Sequence, residues 1–186
     1  MKEFGVIFSG PMVPRVLDGS KTQTRRAVKI KDSPGTKPWY PVGNHFTPTQ
    51  LEKYRVYPRW HVGDQIWMKE TWMPETEQGI PTGGIIYRAT NRPETDGTVK
   101  IKWRSPLFMP KWASRFTGNV LRTWIERLQD ISEEDARAEG AELHPWTNAH
   151  TYRESFSMLW NSLNGKTPGL SWADTWVLAT EFRRVE

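Results

Sequence analysis

Eight residues concentrate the reactive side chains of this sequence. Gly19-Ser20-Lys21-Thr22-Gln23-Thr24-Arg25-Arg26 sets three cations among hydroxyl groups, directly after a predicted helix end. Such clusters bind anions, and a hydroxyl beside an amine can attack a carbonyl if the amine takes its proton and the oxyanion is stabilised. Lys21 could serve as that base for a threonine hydroxyl. An unperturbed lysine titrates at about 10.4, so Lys21 has to be depressed, and the positive charges of Arg25 and Arg26 push it that way. Geometry sets a condition. On a strand Thr22, Thr24 and Arg26 share one face and Gln23 and Arg25 the other, so Lys21 and Thr24 converge only if the Gly19-Ser20 turn rotates Lys21 out of register. The segment equally fits an exposed edge strand guarded by cations, with Thr24 an ordinary β-branched strand residue.

Aromatic and charged residues interleave in two further places, Trp67-Met68-Lys69-Glu70-Thr71-Trp72 and Lys111-Trp112-Ala113-Ser114-Arg115. A base stacked on tryptophan gains roughly 1 to 3 kcal/mol, and a neighbouring cation can hold phosphate or ribose. Lys69, Glu70, Trp112 and Arg115, with Arg25 and Arg26, are therefore the candidate nucleoside- or RNA-binding residues. Most of the 11 tryptophans fit better as core and loop anchors.

The elements that must position these groups alternate short strands with capped helices. Gly5 to Phe8 reads as a strand; Met12, Val13, Val16 and Leu17 recur at helical spacing, and Gly19 suits a left-handed C-terminal cap. Thr22 to Val28 should be extended. Lys29 to Val62 reads as a long, aromatic-rich loop. Strands follow at Gln65 to Trp72, Ile85 to Ala89 and Asn119 to Leu128, with turns between them. Ser132-Glu133-Glu134-Asp135 opens a short acidic helix ended by Gly140; Thr151 and Glu154 form the capping box of the next, closed by Asn164-Gly165. Trp176 to Arg183 alternates as a terminal strand. About six strands with few helices and no βαβ rhythm predict an α+β domain, a small mixed β-barrel decorated by short helices.

Composition narrows the partners. The chain has 186 residues and a net charge of +5, enough for one domain, read as 1–186, with a sizeable core. Residues 1–61 carry 11 Lys and Arg against 4 Asp and Glu, a surplus of 7, whereas 62–186 carry 15 against 17. Localised basicity favours a polyanion such as nucleic acid, or simply a solvated basic surface. With no cysteine there is no disulfide framework, Fe–S cluster or thiol nucleophile. His45, His61, His144 and His150 show no metal spacing, so neither metal nor cofactor is expected. No run approaches the roughly 18 apolar residues of a spanning helix, so a cytoplasmic protein without membrane partners is expected.

The spacing Gly19, Lys21, Arg26 matches the G-x-K-x-x-x-x-R signature of the ASCH superfamily. Phe8-Ser9-Gly10-Pro11-Met12-Val13, Gly63-Asp64-Gln65-Ile66-Trp67, Met109 to Arg115 and Leu128 to Ala136 resemble its phage and prophage members. The resemblance implies a PUA-like β-barrel with flanking helices and an association with RNA. It marks about 29–62 and 73–111 as insertions. The catalytic segment is similar to that of a metal-independent amidohydrolase branch acting on N4-acetylcytidine, whose Lys, Thr and Glu fall here on Lys21, Thr24 and Glu139. On its own Glu139 also fits a solvated residue of an acidic helix. Three functions stay open: a nucleoside- or RNA-directed amidohydrolase, an RNA-binding module or ribonuclease, and a phage structural or interaction protein with Trp-rich insertions as its interface.

Overall fold

Alternating apolar residues build one open sheet, and two amphipathic segments cover it. The computed structural model describes residues 1–30, 40–41, 60–77, 80–91, 102–143, 148–167, 170–173 and 175–185. Its strands are β1 (Glu3–Ile7), β2 (Gln23–Ala27), β3 (Lys29–Ile30), β4 (Tyr40–Pro41), β5 (Gln65–Lys69), β6 (Trp72–Glu77), β7 (Ile80–Tyr87), β8 (Thr117–Arg127) and β9 (Trp176–Arg184). Its helices are α1 (Val13–Asp18), α2 (Glu133–Ala138) and α3 (Tyr152–Asn164). Five strands hydrogen-bond in the order β1-β5-β8-β9-β2. The pair β1 and β5 is parallel and the other neighbours are antiparallel. β3 with β4, and β6 with β7, form separate two-stranded ribbons.

The mixed α+β class expected from the sequence therefore holds. Barrel closure is not confirmed, because β1 and β2 remain the two edges of an open sheet. A side chain links those edges: the Arg26 guanidinium donates to the Ile7 carbonyl at 2.5 Å. Most of the long loop expected over Lys29 to Val62 lies outside the described residues, as do His45 and His144. Within 73–111, the described part pairs β6 with β7 as a hairpin.

One core cluster joins Val6, Ile66, Met68 and Val120 from the sheet to Val13 and Val16 of α1. Phe182 sits among them, edge-on to Phe8 and Phe116. Val13 and Val16 are almost fully buried; each contributes about 1.5 to 3 kcal/mol and together they pin α1 to the sheet. A second cluster packs Phe156 and Trp160 of α3 against Leu128, Ile131 and Val177. The gap between these clusters is where the site forms.

Two caps fix the helices that border it. The Thr151 hydroxyl accepts from the Glu154 amide at 3.1 Å while the Glu154 carboxylate accepts from the Thr151 amide at 3.2 Å. Ser132 accepts from the Asp135 amide at 3.0 Å. Both follow the predicted start signals.

Candidate active site

Lys21 reaches the site because the chain turns left-handed before it. Gly19 ends α1 at φ 82°, a conformation that is costly for a side-chain-bearing residue. The Lys21 amide then donates to the Arg15 carbonyl at 2.8 Å and the Thr22 amide to the Ala138 carbonyl at 2.9 Å. Lys21 thus lies outside the register of β2, as the parity argument demanded. Its ammonium meets the end of α2, where Nζ donates to the Glu139 carbonyl at 2.7 Å and to Glu139 Oε2 at 2.5 Å. Gly140, at φ 86°, allows this approach. A Cβ there would lie 2.8 Å from Arg15 Cδ and 3.5 Å from Lys21 Cβ.

Lys21, Thr24 and Glu139 line one cavity of about 150 Å³, together with Ser9 and Arg26. Phe156, Leu159, Trp160 and Leu163 of α3 form its apolar wall. All three candidate groups are 3 to 4% exposed, so they sit at the bottom of a cleft rather than on a surface. Thr24 pairs with Thr180 across β2 and β9, and its hydroxyl makes no hydrogen bond among the described residues. It is the uncommitted polar group of the trio.

Burial lowers the Lys21 pKa, and this is the largest influence on it. The charge and hydrogen bond of Glu139 push it back up, and Arg26 and Arg25 add to the lowering. The direction agrees with the sequence argument, but desolvation exceeds the arginine contribution on which that argument relied.

Arg25 is tied up by protein groups. Its side chain is fully buried. Nε donates to Glu126 Oε1 at 2.7 Å, and the terminal nitrogens reach Gln23 at 2.9 Å and Asp135 and Glu139 at 3.3 Å. Gln23 in turn donates to Asp135 at 2.7 Å. Arg25 borders the cavity, yet its guanidinium is committed to protein acceptors and holds the second Glu139 oxygen. Arg26 is exposed, lies over the Phe8 ring at 5.8 Å and closes the cavity's edge through Ile7.

None of Lys69, Glu70, Trp112 and Arg115 lines this cavity. Lys69 donates to the Leu107 carbonyl at 2.7 Å and lies over Trp67. Glu70 is 1% exposed, and Arg115 donates to both its oxygens at 2.8 Å. Arg115 also stacks on Tyr87 at 4.1 Å. Trp112 is exposed and meets Trp72 edge-on. The α3 wall was not among the candidate site residues. Nor were Glu126 and Asp135, the carboxylates that β8 and α2 bring to Arg25.

Among the described residues no group of three His, Asp or Glu is placed to hold a metal ion. Nor is any described helix long and apolar enough to cross a membrane. No protein-family model, curated protein or solved structure matches the chain. The chemistry open to the site follows from its groups: a free hydroxyl, an amine whose proton is loosened by burial, a carboxylate to exchange that proton, and a cation at the rim.

Proposed function

We propose that this chain is a metal-independent amidohydrolase acting on N4-acylated cytidine, on a PUA-like ASCH scaffold. The convergence of Lys21, Thr24 and Glu139 on one cavity carries the reading, and the sequence resemblance supplies the substrate class. Glu139 takes the ammonium proton of Lys21, leaving an amine. As Thr24 Oγ1 bonds to the acyl carbon, Lys21 accepts the hydroxyl proton and the carbonyl electron pair moves onto oxygen, within the field of Arg26. The C–N4 bond then breaks and Lys21 returns the proton to the departing nitrogen. Water next attacks the acyl-threonine ester, giving one proton through Lys21 to the leaving Thr24 oxygen, and Glu139 returns its proton to Lys21 to restore the starting ion pair. One amide and one water become a carboxylic acid and an amine.

The cavity's size favours a short acyl group. At about 150 Å³ it is smaller than the roughly 300 to 1,000 Å³ of pockets that enclose whole drug-sized ligands. The acyl end enters against the α3 wall and the ribose stays outside. Incubating the protein with N4-acetylcytidine and following cytidine release by chromatography tests this. Release by the parent and none by Lys21→Ala or Thr24→Ala supports it; no release by the parent overturns it.

Binding of RNA without catalysis is the second reading. The closed Lys21–Glu139 pair favours it, because an ion pair that satisfies itself needs no reaction to explain it. Equal RNA affinity in the parent and Thr24→Ala, with no turnover by either, decides for it.

A further inference from the structure

We propose that the face around Lys102–Trp112, separate from the cavity, is a docking surface for single-stranded nucleic acid. Its ring side chains are left in solvent. Phe108 is 77% and Trp112 72% exposed, whereas large aromatic surfaces are normally covered. Phe108 borders an open groove lined also by Lys102, Arg104, Ser105, Thr76 and half-buried Trp103. Among the described residues no carboxylate lines that groove. From Lys102 to Arg115 the chain carries four cations and no acid.

Charge and ring placement together select the partner. Lys111 is paired with Glu3 and Arg115 with Glu70; among the described residues Lys102 and Arg104 are the cations lining the groove. Arg104 lies over Trp72 at 5.1 Å. Its backbone exchanges hydrogen bonds with that residue, at 2.8 Å from the Arg104 amide and 3.4 Å from the Trp72 amide. The start of the segment is therefore anchored to β6. A membrane or a nonpolar protein partner would satisfy the rings and leave the cations; a duplex would satisfy the cations and leave the rings. A strand with unpaired bases satisfies both, since bases stack on aromatic faces while the backbone tracks the positive groove. Phe108 and Trp112 lie four residues apart, a reach of at most about 14 Å, so adjacent or next-adjacent bases span them.

Fluorescence anisotropy with a labelled oligothymidine of about 12 nucleotides, within the usual site sizes, tests the surface. Three probes are compared: the single strand, an abasic oligomer of equal length and a duplex of equal length. The single strand should bind most tightly. Phe108→Ala and Trp112→Ala should each weaken it roughly fivefold to a hundredfold and leave the abasic oligomer unchanged. Lys102→Ala and Arg104→Ala should each flatten the dependence of log affinity on log salt by about 0.7. Both aromatic positions are exposed, and matching circular dichroism spectra confirm that the variants fold. Equal affinity for the abasic oligomer or the duplex overturns the proposal. So do ring variants that bind like the parent, and a patch that instead drives self-association in light scattering.

Discussion

Glu139 and Glu70 are both nearly sealed carboxylates, and they are held in opposite ways. A single guanidinium, Arg115, takes both oxygens of Glu70 at 2.8 Å. Glu139 divides its oxygens between Lys21 at 2.5 Å and Arg25 at 3.3 Å, and an unpartnered hydroxyl shares its cavity. The first arrangement is complete and has nothing to exchange. The second pairs the carboxylate with an amine that can release its proton, beside a group that can accept new bonding. Burial of charge alone does not distinguish the two carboxylates; an uncommitted neighbour does.

The largest expected effect breaks that contrast at the hydroxyl. Thr24→Ala should lower hydrolysis of N4-acetylcytidine by at least about 10³-fold while changing urea-unfolding stability little. Loss of stability with retained turnover would make Thr24 a packing residue like its neighbours. Next come the carboxylates. Removing one partner of a buried pair costs roughly 3 to 5 kcal/mol, so Glu139→Ala and Glu70→Ala should both lower the denaturation midpoint. Only Glu139→Ala should also abolish turnover. If Glu70→Ala, measured at a temperature where it is folded, loses turnover as well, the division between the two regions fails.

The pH dependence gives a smaller effect. Folding lowers the Lys21 pKa, chiefly through burial. The folded state therefore binds fewer protons than the unfolded state between the lowered value and the ordinary lysine range. Stability of the parent relative to Lys21→Met should rise with pH across that window, and kcat/KM should climb on a limb below the ordinary lysine range. Unfolding curves and rate profiles at stepped pH check both; a falling stability difference contradicts the sign. Smallest is Arg26→Ala, which removes the exposed bond to Ile7. It should cost about 1 kcal/mol of stability, and a change in cavity access should appear in KM more than in kcat.

Local signals in the sequence are legible. The Thr151–Glu154 capping box, the Ser132 cap and the Gly19 turn all depend on residues within a few positions of each other, and each formed as expected. The displacement of Lys21 from the strand register followed from parity alone. Arg25 was harder, because its partners Glu126, Asp135 and Glu139 lie more than a hundred residues away. Nothing near Arg25 distinguishes a guanidinium reserved for protein from one offered to a ligand. Lys69, Glu70 and Arg115 show the same difficulty, since interleaved rings and charges are common to a binding face and to a folded ion pair. Closure of the sheet was illegible for another reason: alternation marks strands, about six expected against nine observed among the described residues, but not whether the edge strands pair.

In the proposed mechanism Thr24 attacks the acyl carbon with help from Lys21 and Glu139. Mass spectrometry of the protein quenched in acid during turnover of N4-acetylcytidine addresses that step directly. An acetyl group on the peptide bearing Thr24, absent from Thr24→Ala and from Lys21→Ala, is the predicted result. Full turnover by Thr24→Ala, or an acetyl group carried only on another residue, contradicts it.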